Sequence, residues 1–332
     1  MGYLGLIVMR ILFSPATASN KYVDNTIKLI SALPGAKVET KAQLDADFIM
    51  KNIRHRYDWV IINWLENILV GKNKRLGFKS IALFFLKFLI YRLMAKQLVF
   101  VRHNIYPHGL HGREARIATW IIEQAIRLST VSIVHSGHLE QGKVKYVAHP
   151  LYELSALPNE YENDYHVVFG RIIEYKNIHT LLEHWDNRRL IIAGLVEDPV
   201  YAERLKQIIQ QRNLTNVVLN TGFITDEEAT KLVAGSQGLV ITHCDADMIV
   251  SGSFFFAASL GVPVFALTTP FFEWATQSRN YQGLYAYKSL DALMAGLKQQ
   301  PAVDRKRISQ SAHDLFGNDV VVSAWYSVLN SR

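Results

Sequence analysis

The chain has 332 residues, 49% of them hydrophobic and 20% charged, a composition that buries a substantial core and excludes a disordered chain. Lys and Arg outnumber Asp and Glu by 36 to 29, a formal charge of +7, which points to anionic partners such as phosphorylated substrates, anionic lipid or nucleic acid. The single cysteine, Cys244, excludes an intrachain disulfide and fits a reducing compartment.

The opening MGYLGLIVMRILFS lacks a cationic leader and a small-residue cleavage site, and RILFS reads as a first strand rather than part of a signal peptide. Leu6 stands where N-myristoylation expects Ser or Thr. A helix is predicted from about Tyr22 to Leu33. WVIIN (Trp59–Asn63) and QLVFVR (Gln97–Arg102) are short β-rich runs of the kind buried in parallel sheets. REARIATWIIEQAIRLS is amphipathic, and TVSIVHS and KVKYVAHP follow as strands. The polar stretch YELSALPNEYEND has no clear periodicity and separates two domains, 1–151 and 165–332, through a linker at 152–164. The last helix of the second is free to pack back on the first.

The second half repeats the alternation. Strands are predicted at YHVVFG, RLIIAG, NVVLN, GLVIT, VPVFAL and GLYAY, with helices between them. Thr225 and Glu228 form a capping box that opens DEEATKLVAG. Asp304 to Asn330 is largely helical. Two such βα arrays predict an α/β protein of two Rossmann-like domains facing a cleft. No G-x-G-x-x-G fingerprint follows the first strand, where SPATASN stands, and there is no Walker A sequence. A standard NAD enzyme or P-loop NTPase is therefore disfavoured.

Ligands of parallel α/β domains bind at the carboxyl ends of strands. Gly170 and Arg171 lie at such an end, with Lys176 five residues on, before a helix. Arg171 is suited to bidentate phosphate binding and Lys176 to a mobile point charge; the alternative is a solvated strand-helix corner. Gly194 ends another strand, and Gly222-Phe223 another, directly before the capped helix. Ser251-Gly252-Ser253 opens a helix whose small residues let backbone donors approach a pyrophosphate, although Ser253 also fits an ordinary N-cap. Phe223 is placed to lie against a nucleotide base.

The order G-R-x-x-x-Y-K-N, I-A-G, T-G-F and S-G-S…G-V-P-V, over Val167 to Leu267, resembles the C-terminal domain of GT-B glycosyltransferases, especially family 4. The resemblance implies that Gly170, Arg171, Lys176 and the Ser251-Gly252-Ser253 turn hold the donor diphosphate, with Gly194, Gly222 and Phe223 near the nucleotide or sugar. That family carries two glutamates eight residues apart in the last motif. The matching positions here are Met248 and Phe256, so either Asp245 or Asp247 substitutes or the ribose is recognised differently.

In the first half, FSPATASNKY, INWLENIL, VRHNIYPHGLHG, IVHSGH and VAHPLYE each lie at or just after a strand. Together they resemble bacterial exopolysaccharide glycosyltransferases of the xanthan mannosyltransferase type. Asn63-Trp64-Leu65-Glu66 departs from the usual H-W-P-E, whereas His103-Asn104…Pro107-His108 keeps the H-N-x-x-P-H pattern. Asn20, Tyr22, Trp64, Asn104 and His108 are the candidate acceptor or cleft residues. His103, His108 and His111 lack a helical i, i+4 ligand pair and an accompanying Cys cluster, which disfavours zinc. His135 and His149 read as satisfied structural groups. The resemblance implies a hexosyltransferase without bound metal or resident cofactor, using a GDP- or UDP-linked sugar as co-substrate. An inverting enzyme needs a base, for which Glu66 is the first candidate and His103 the second. In a retaining enzyme, His103 contacts the donor sugar.

KNKRLGFKSIALFFLKFLIYRLMAKQ is greasy, but Lys87, Arg92 and Lys96 interrupt it, so a membrane span is disfavoured. From Asn67 to Arg113 there is no acidic residue and there are nine Lys or Arg. A peripheral segment is predicted, with Leu83, Phe84, Phe85, Phe88, Leu89 and Tyr91 entering an anionic membrane interface; the alternative is a helix covering the core. The whole reading is a cytoplasmic enzyme on the inner face of the membrane, transferring sugar to a lipid-linked or oligosaccharide acceptor in surface polysaccharide synthesis. The alternatives are an idle nucleotide-sugar or glycan binder and a GT-B-fold epimerase or phosphorylase. A nucleic-acid partner is disfavoured because no recognition motif accompanies the charge.

Overall fold

A computed structural model describes residues 8–16, 21–71, 75–107, 109–154, 164–243, 249–299 and 304–331 of the protein. Apolar runs that can be buried on both faces form the strands. The first six are β1 (Met9–Ser14), β2 (Ala36–Thr40), β3 (Tyr57–Asn63), β4 (Ala95–Arg102), β5 (Val131–Val134) and β6 (Val144–Tyr146). They form one sheet in the order β2-β1-β3-β4-β5-β6, each neighbouring pair parallel. The second set is β7 (Tyr165–Phe169), β8 (Arg189–Ala193), β9 (Val217–Asn220), β10 (Gly238–Ile241), β11 (Val264–Leu267) and β12 (Leu284–Tyr287). Their order is β12-β11-β10-β7-β8-β9, again parallel throughout. Each sheet reverses its winding at one point, β1/β3 in the first and β7/β10 in the second, and crevices for ligands form where the winding reverses.

The chain divides into two compact units, Met1–Pro150 with Asn318–Arg332, and Leu151–Gly317. In the first, the C-terminal helix Asn318–Asn330 packs on the helix Lys21–Ser31. Trp325 is buried, and Trp59 Nε1 donates to Leu329 O at 3.1 Å.

Two short elements follow the helix Lys21–Ser31. β2 (AKVET) exposes Lys37, Glu39 and Thr40 and exists as an edge partner of β1. The helix Ala46–Arg54 starts at Asp45, whose side chain accepts from Phe48 N at 2.8 Å. The capping box at Thr225 and Glu228 is present in both directions.

The greasy segment is the helix Phe78–Met94. Phe84, Phe88 and Tyr91, expected at a membrane interface, instead lie in the core with Met94, against the sheet and the helix Gly112–Leu128. Its outward face is made by leucines. Among the described residues no helix is long and apolar enough to cross a membrane.

Candidate functional site

In the second unit the chain turns at Gly170, just past β7, with φ +111°, a conformation that favours glycine. A Cβ there would stand 2.8 Å from Lys176 Nζ and 2.9 Å from Ser253 Oγ, so this bare backbone faces a cation and a hydroxyl. Ser253 Oγ donates to Phe169 O at 2.8 Å, and Lys176 Nζ lies 3.4 Å from the same oxygen. The backbone of Lys176 is held in turn, because Thr242 Oγ1 at the end of β10 donates to Lys176 O at 2.7 Å. Phe169, Lys176, Thr242, His243 and Ser253 line a small recess. It lies at the β7/β10 reversal, where the topology predicts a ligand crevice.

Burial pushes the Lys176 ammonium down to about 8, with the charge of Arg171 adding to the shift and Glu197 opposing it. Arg171 is half exposed; it donates to Glu197 Oε1 at 2.6 Å and toward Tyr175 Oη at 3.4 Å. Two cations held close together on a partly desolvated wall favour an anion.

The two serines have different tasks. Ser251 caps the helix Gly252–Ser259, accepting from Phe254 N at 3.4 Å, while Ser253 holds the end of β7. Gly252 is the first residue of that helix. Phe256 is buried against Phe169 at 4.9 Å and Tyr152 at 5.7 Å between ring centroids, so an apolar ring fills one of the two positions where the resembled family has glutamate. The other, Met248, lies outside the described residues with Asp245 and Asp247. Gly222 N donates to Asn220 Oδ1 at 3.2 Å, and Phe223 beside it is 81% exposed. Thr242 and His243 were not singled out from the sequence; their only signal is their place at the end of the apolar run GLVI.

The first unit gathers three of its histidines around one ring. Tyr22 packs on Trp64, His103, His135 and His149 with centroid distances of 5.0–5.5 Å. Trp64 stacks on His103 at 4.4 Å and 18°. Trp64 has φ 48°, a left-handed conformation unusual for so bulky a residue, directly after β3. His135 Nδ1 faces Val147 O at 2.8 Å and therefore carries the proton, leaving Nε2 to accept from Tyr22 Oη at 2.9 Å. His149 donates from Nδ1 to Pro150 O at 2.8 Å. His103 Nε2 pairs with Asn63 Oδ1 at 3.3 Å.

Glu66 is fully buried in the turn after β3. Its Oε1 accepts from His103 N at 3.2 Å, and Asn104 N–H also lies against it. Arg102 holds the same loop, donating to Asn104 O at 3.2 Å and Ile105 O at 3.0 Å, and it pairs with Glu123 at 2.8 Å. Glu66 Oε2 finds no hydrogen-bond partner among the described residues, and burial pushes the carboxyl up to about 7. Asn20 and His108 lie outside the described residues. Among the described residues no group of His, Cys, Asp and Glu is arranged to hold a metal ion.

Burial holds His135 down to about 4, His149 to about 3 and His103 well below its ordinary 6.5. These groups bind protons in the unfolded chain but not in the fold, so their contribution is complete above pH 6.5 and is lost as pH falls. Each removes about 1.4 kcal/mol per pH unit in that range. Glu66 acts oppositely: its raised value favours the fold below 4.5, and that contribution is lost as pH rises through 7. Three imidazoles outweigh one carboxyl, and buried His166, held at about 4 in the second unit, adds to them. Melting temperature is therefore expected to drop steeply between pH 6.5 and 4.5, and more steeply in Glu66→Gln. A flat profile by circular dichroism would contradict the neutral histidine cluster.

No protein-family model matches the chain, and no curated protein matches it. Solved structures do. HepE of Anabaena, in complex with UDP and glucose, superposes with a TM-score of 0.68 at 16% identity, over 98% of this chain and 100% of that one. A glycosyltransferase of Rickettsia africae gives 0.64 at 10% identity, over 98% and 99% of the two chains. TarM, also solved from S. aureus with UDP, gives 0.63 at 14% identity over 85% of this chain and 57% of its own. The fold is GT-B. Both parallel sheets belong to that architecture, and the Lys176 recess lies in the second of its Rossmann-like units.

Proposed function

We propose that the protein is a glycosyltransferase that uses a nucleotide-sugar donor, UDP-linked in preference to GDP-linked. The observation that carries this reading is the pairing of Lys176 and Arg171 beside the bare backbone of Gly170 at the β7/β10 reversal. The donor diphosphate sits against these cations and the start of the helix Gly252–Ser259, where backbone N–H groups and the helix dipole favour an anion. The preference for UDP rests on the UDP and UDP-glucose complexes of HepE. In the reaction an acceptor hydroxyl oxygen bonds to the anomeric carbon as that carbon's bond to the diphosphate oxygen breaks. Lys176 and Arg171 offset the charge of the departing diphosphate. Glu66, poised near neutrality with one uncommitted oxygen, takes the hydroxyl proton. His103 and Trp64 flank the acceptor or sugar. The acceptor is lipid-linked or an oligosaccharide of a bacterial surface polysaccharide, which puts the protein at the inner face of the cytoplasmic membrane.

Calorimetry with UDP and GDP tests the site. A charge-assisted hydrogen bond contributes roughly 1.5–3 kcal/mol, so Arg171→Ala and Lys176→Ala are each expected to weaken binding about tenfold or more. Affinity should also fall above pH 8 in the wild type, as Lys176 loses its proton, and not in Lys176→Ala. Wild-type binding by both variants overturns the diphosphate assignment.

A second reading, a nucleotide-sugar binder without turnover, is favoured by one observation: Phe256 leaves no carboxylate at a position where the resembled family holds the ribose. Turnover of a panel of nucleotide-sugars separates the two.

A further inference from the structure

A helix on the surface of a water-soluble unit normally turns an apolar stripe inward and a polar face outward. The helix Phe78–Met94 does not. Phe84, Phe88, Tyr91 and Met94 are buried, yet Leu83, Leu86, Leu89 and Leu93 on its other side are 43–55% exposed, and Phe78 at its start is 87% exposed. The leucines follow each other at intervals of three, three and four residues, the spacing of one helix face. Arg75, Lys79 and Lys87 are exposed beside them, and no acidic residue occurs from Asn67 to Arg113. The helix Gly112–Leu128, which covers the same core, exposes Trp120 between Arg113, Arg116 and Arg127.

We propose that the outward face of the helix Phe78–Met94 docks on an anionic lipid bilayer. The helix lies along the surface, with Leu83, Leu86, Leu89 and Leu93 at the boundary of headgroups and acyl chains and the cations among the headgroups. It has 17 residues and does not qualify as a membrane span. An apolar stripe flanked by cations is the pattern of a helix that lies in the interface. Charge selects the occupant. A second copy of the chain would bring Arg75, Lys79 and Lys87 against their own counterparts, whereas anionic lipid is complementary to these exposed cations. The docking names a partner for the proposed enzyme but does not depend on its donor chemistry, so each can fail without the other.

Flotation of the full chain tests the surface, with vesicles of phosphatidylcholine alone and of phosphatidylcholine mixed with phosphatidylglycerol. Wild type should float with the mixed vesicles, weakly with the neutral ones, and less as salt rises. Leu86→Ser with Leu89→Ser should lower the partition coefficient about tenfold, given the apolar area each leucine brings to the interface. Lys79→Gln and Lys87→Gln should each lower it about fivefold at low salt. All of these side chains are exposed, so melting temperature and UDP affinity should match wild type and report separately on fold and donor site. Equal recovery on both vesicle types, recovery on neither, or wild-type partition by the leucine pair overturns the proposal. Concentration-dependent dimers that the leucine pair abolishes, with no vesicle recovery, would assign the face to a second copy instead.

Discussion

Gly194→Ala is expected to destabilise the second unit by about 3 kcal/mol, at the upper end of the cost of overpacking a close contact. A Cβ on Gly194 would lie inside the van der Waals radius of Gly170 O, a backbone atom that has no rotamer with which to move aside. Relief requires the ends of β7 and β8 to separate, which breaks the bond from Gly170 N to Ala193 O at 3.0 Å. Gly170 is also the residue against which Lys176 Nζ and Ser253 Oγ are placed, so nucleotide affinity should fall with stability. Gly222→Ala is the control. Its nearest neighbour is Asn220 Oδ1 at 3.5 Å, ordinary contact, and its stability is expected to stay within about 0.5 kcal/mol of wild type. Urea unfolding of both variants checks the contrast, and a Gly194→Ala midpoint equal to wild type would show that the two strand ends are not in contact.

Glu66 is expected to give two different results from two substitutions, because its two oxygens are used differently. Oε1 is part of the fold, accepting from His103 N, and Oε2 is uncommitted. Glu66→Gln keeps an acceptor for the loop and removes a carboxyl already pushed up to about 7, so it should fold like wild type at pH 7. An amide cannot take a proton from an acceptor hydroxyl, and removal of a general base costs on the order of a hundredfold or more in turnover. Glu66→Ala should lose both. It leaves the N–H groups of His103 and Asn104 without their acceptor in a buried site, at about 1–3 kcal/mol for each unsatisfied donor. Melting curves beside sugar transfer at saturating donor separate the two roles. Transfer by Glu66→Gln within a few-fold of wild type would leave Glu66 only as a clamp of the His103 loop, which Arg102 also holds.

The sequence by itself determined the strands and their parallel arrangement. Runs such as WVIIN, VVF and LVI are apolar at consecutive positions, and only a sheet covered on both faces buries such runs at this length. The closeness of Gly170, Arg171 and Lys176 was equally legible, because seven residues spanning one strand end and one turn cannot separate far. Information that is local in the chain is readable from the chain. Tertiary structure alone decided the rest. β2 is a strand because β1 offers it an edge, and its own residues are mostly exposed. Ser251 and Ser253 are equivalent by motif, but one caps a helix and the other bonds Phe169, 84 residues away. Glu66 meets His103 across 37 residues, and Tyr22 meets His135 across 113. A buried polar group must find a partner somewhere, but which partner is fixed by the folding of distant segments. The helix Phe78–Met94 shows the limit most directly: with apolar residues all around it, periodicity has no contrast to read, and only packing decided that the phenylalanines face the core and the leucines face out.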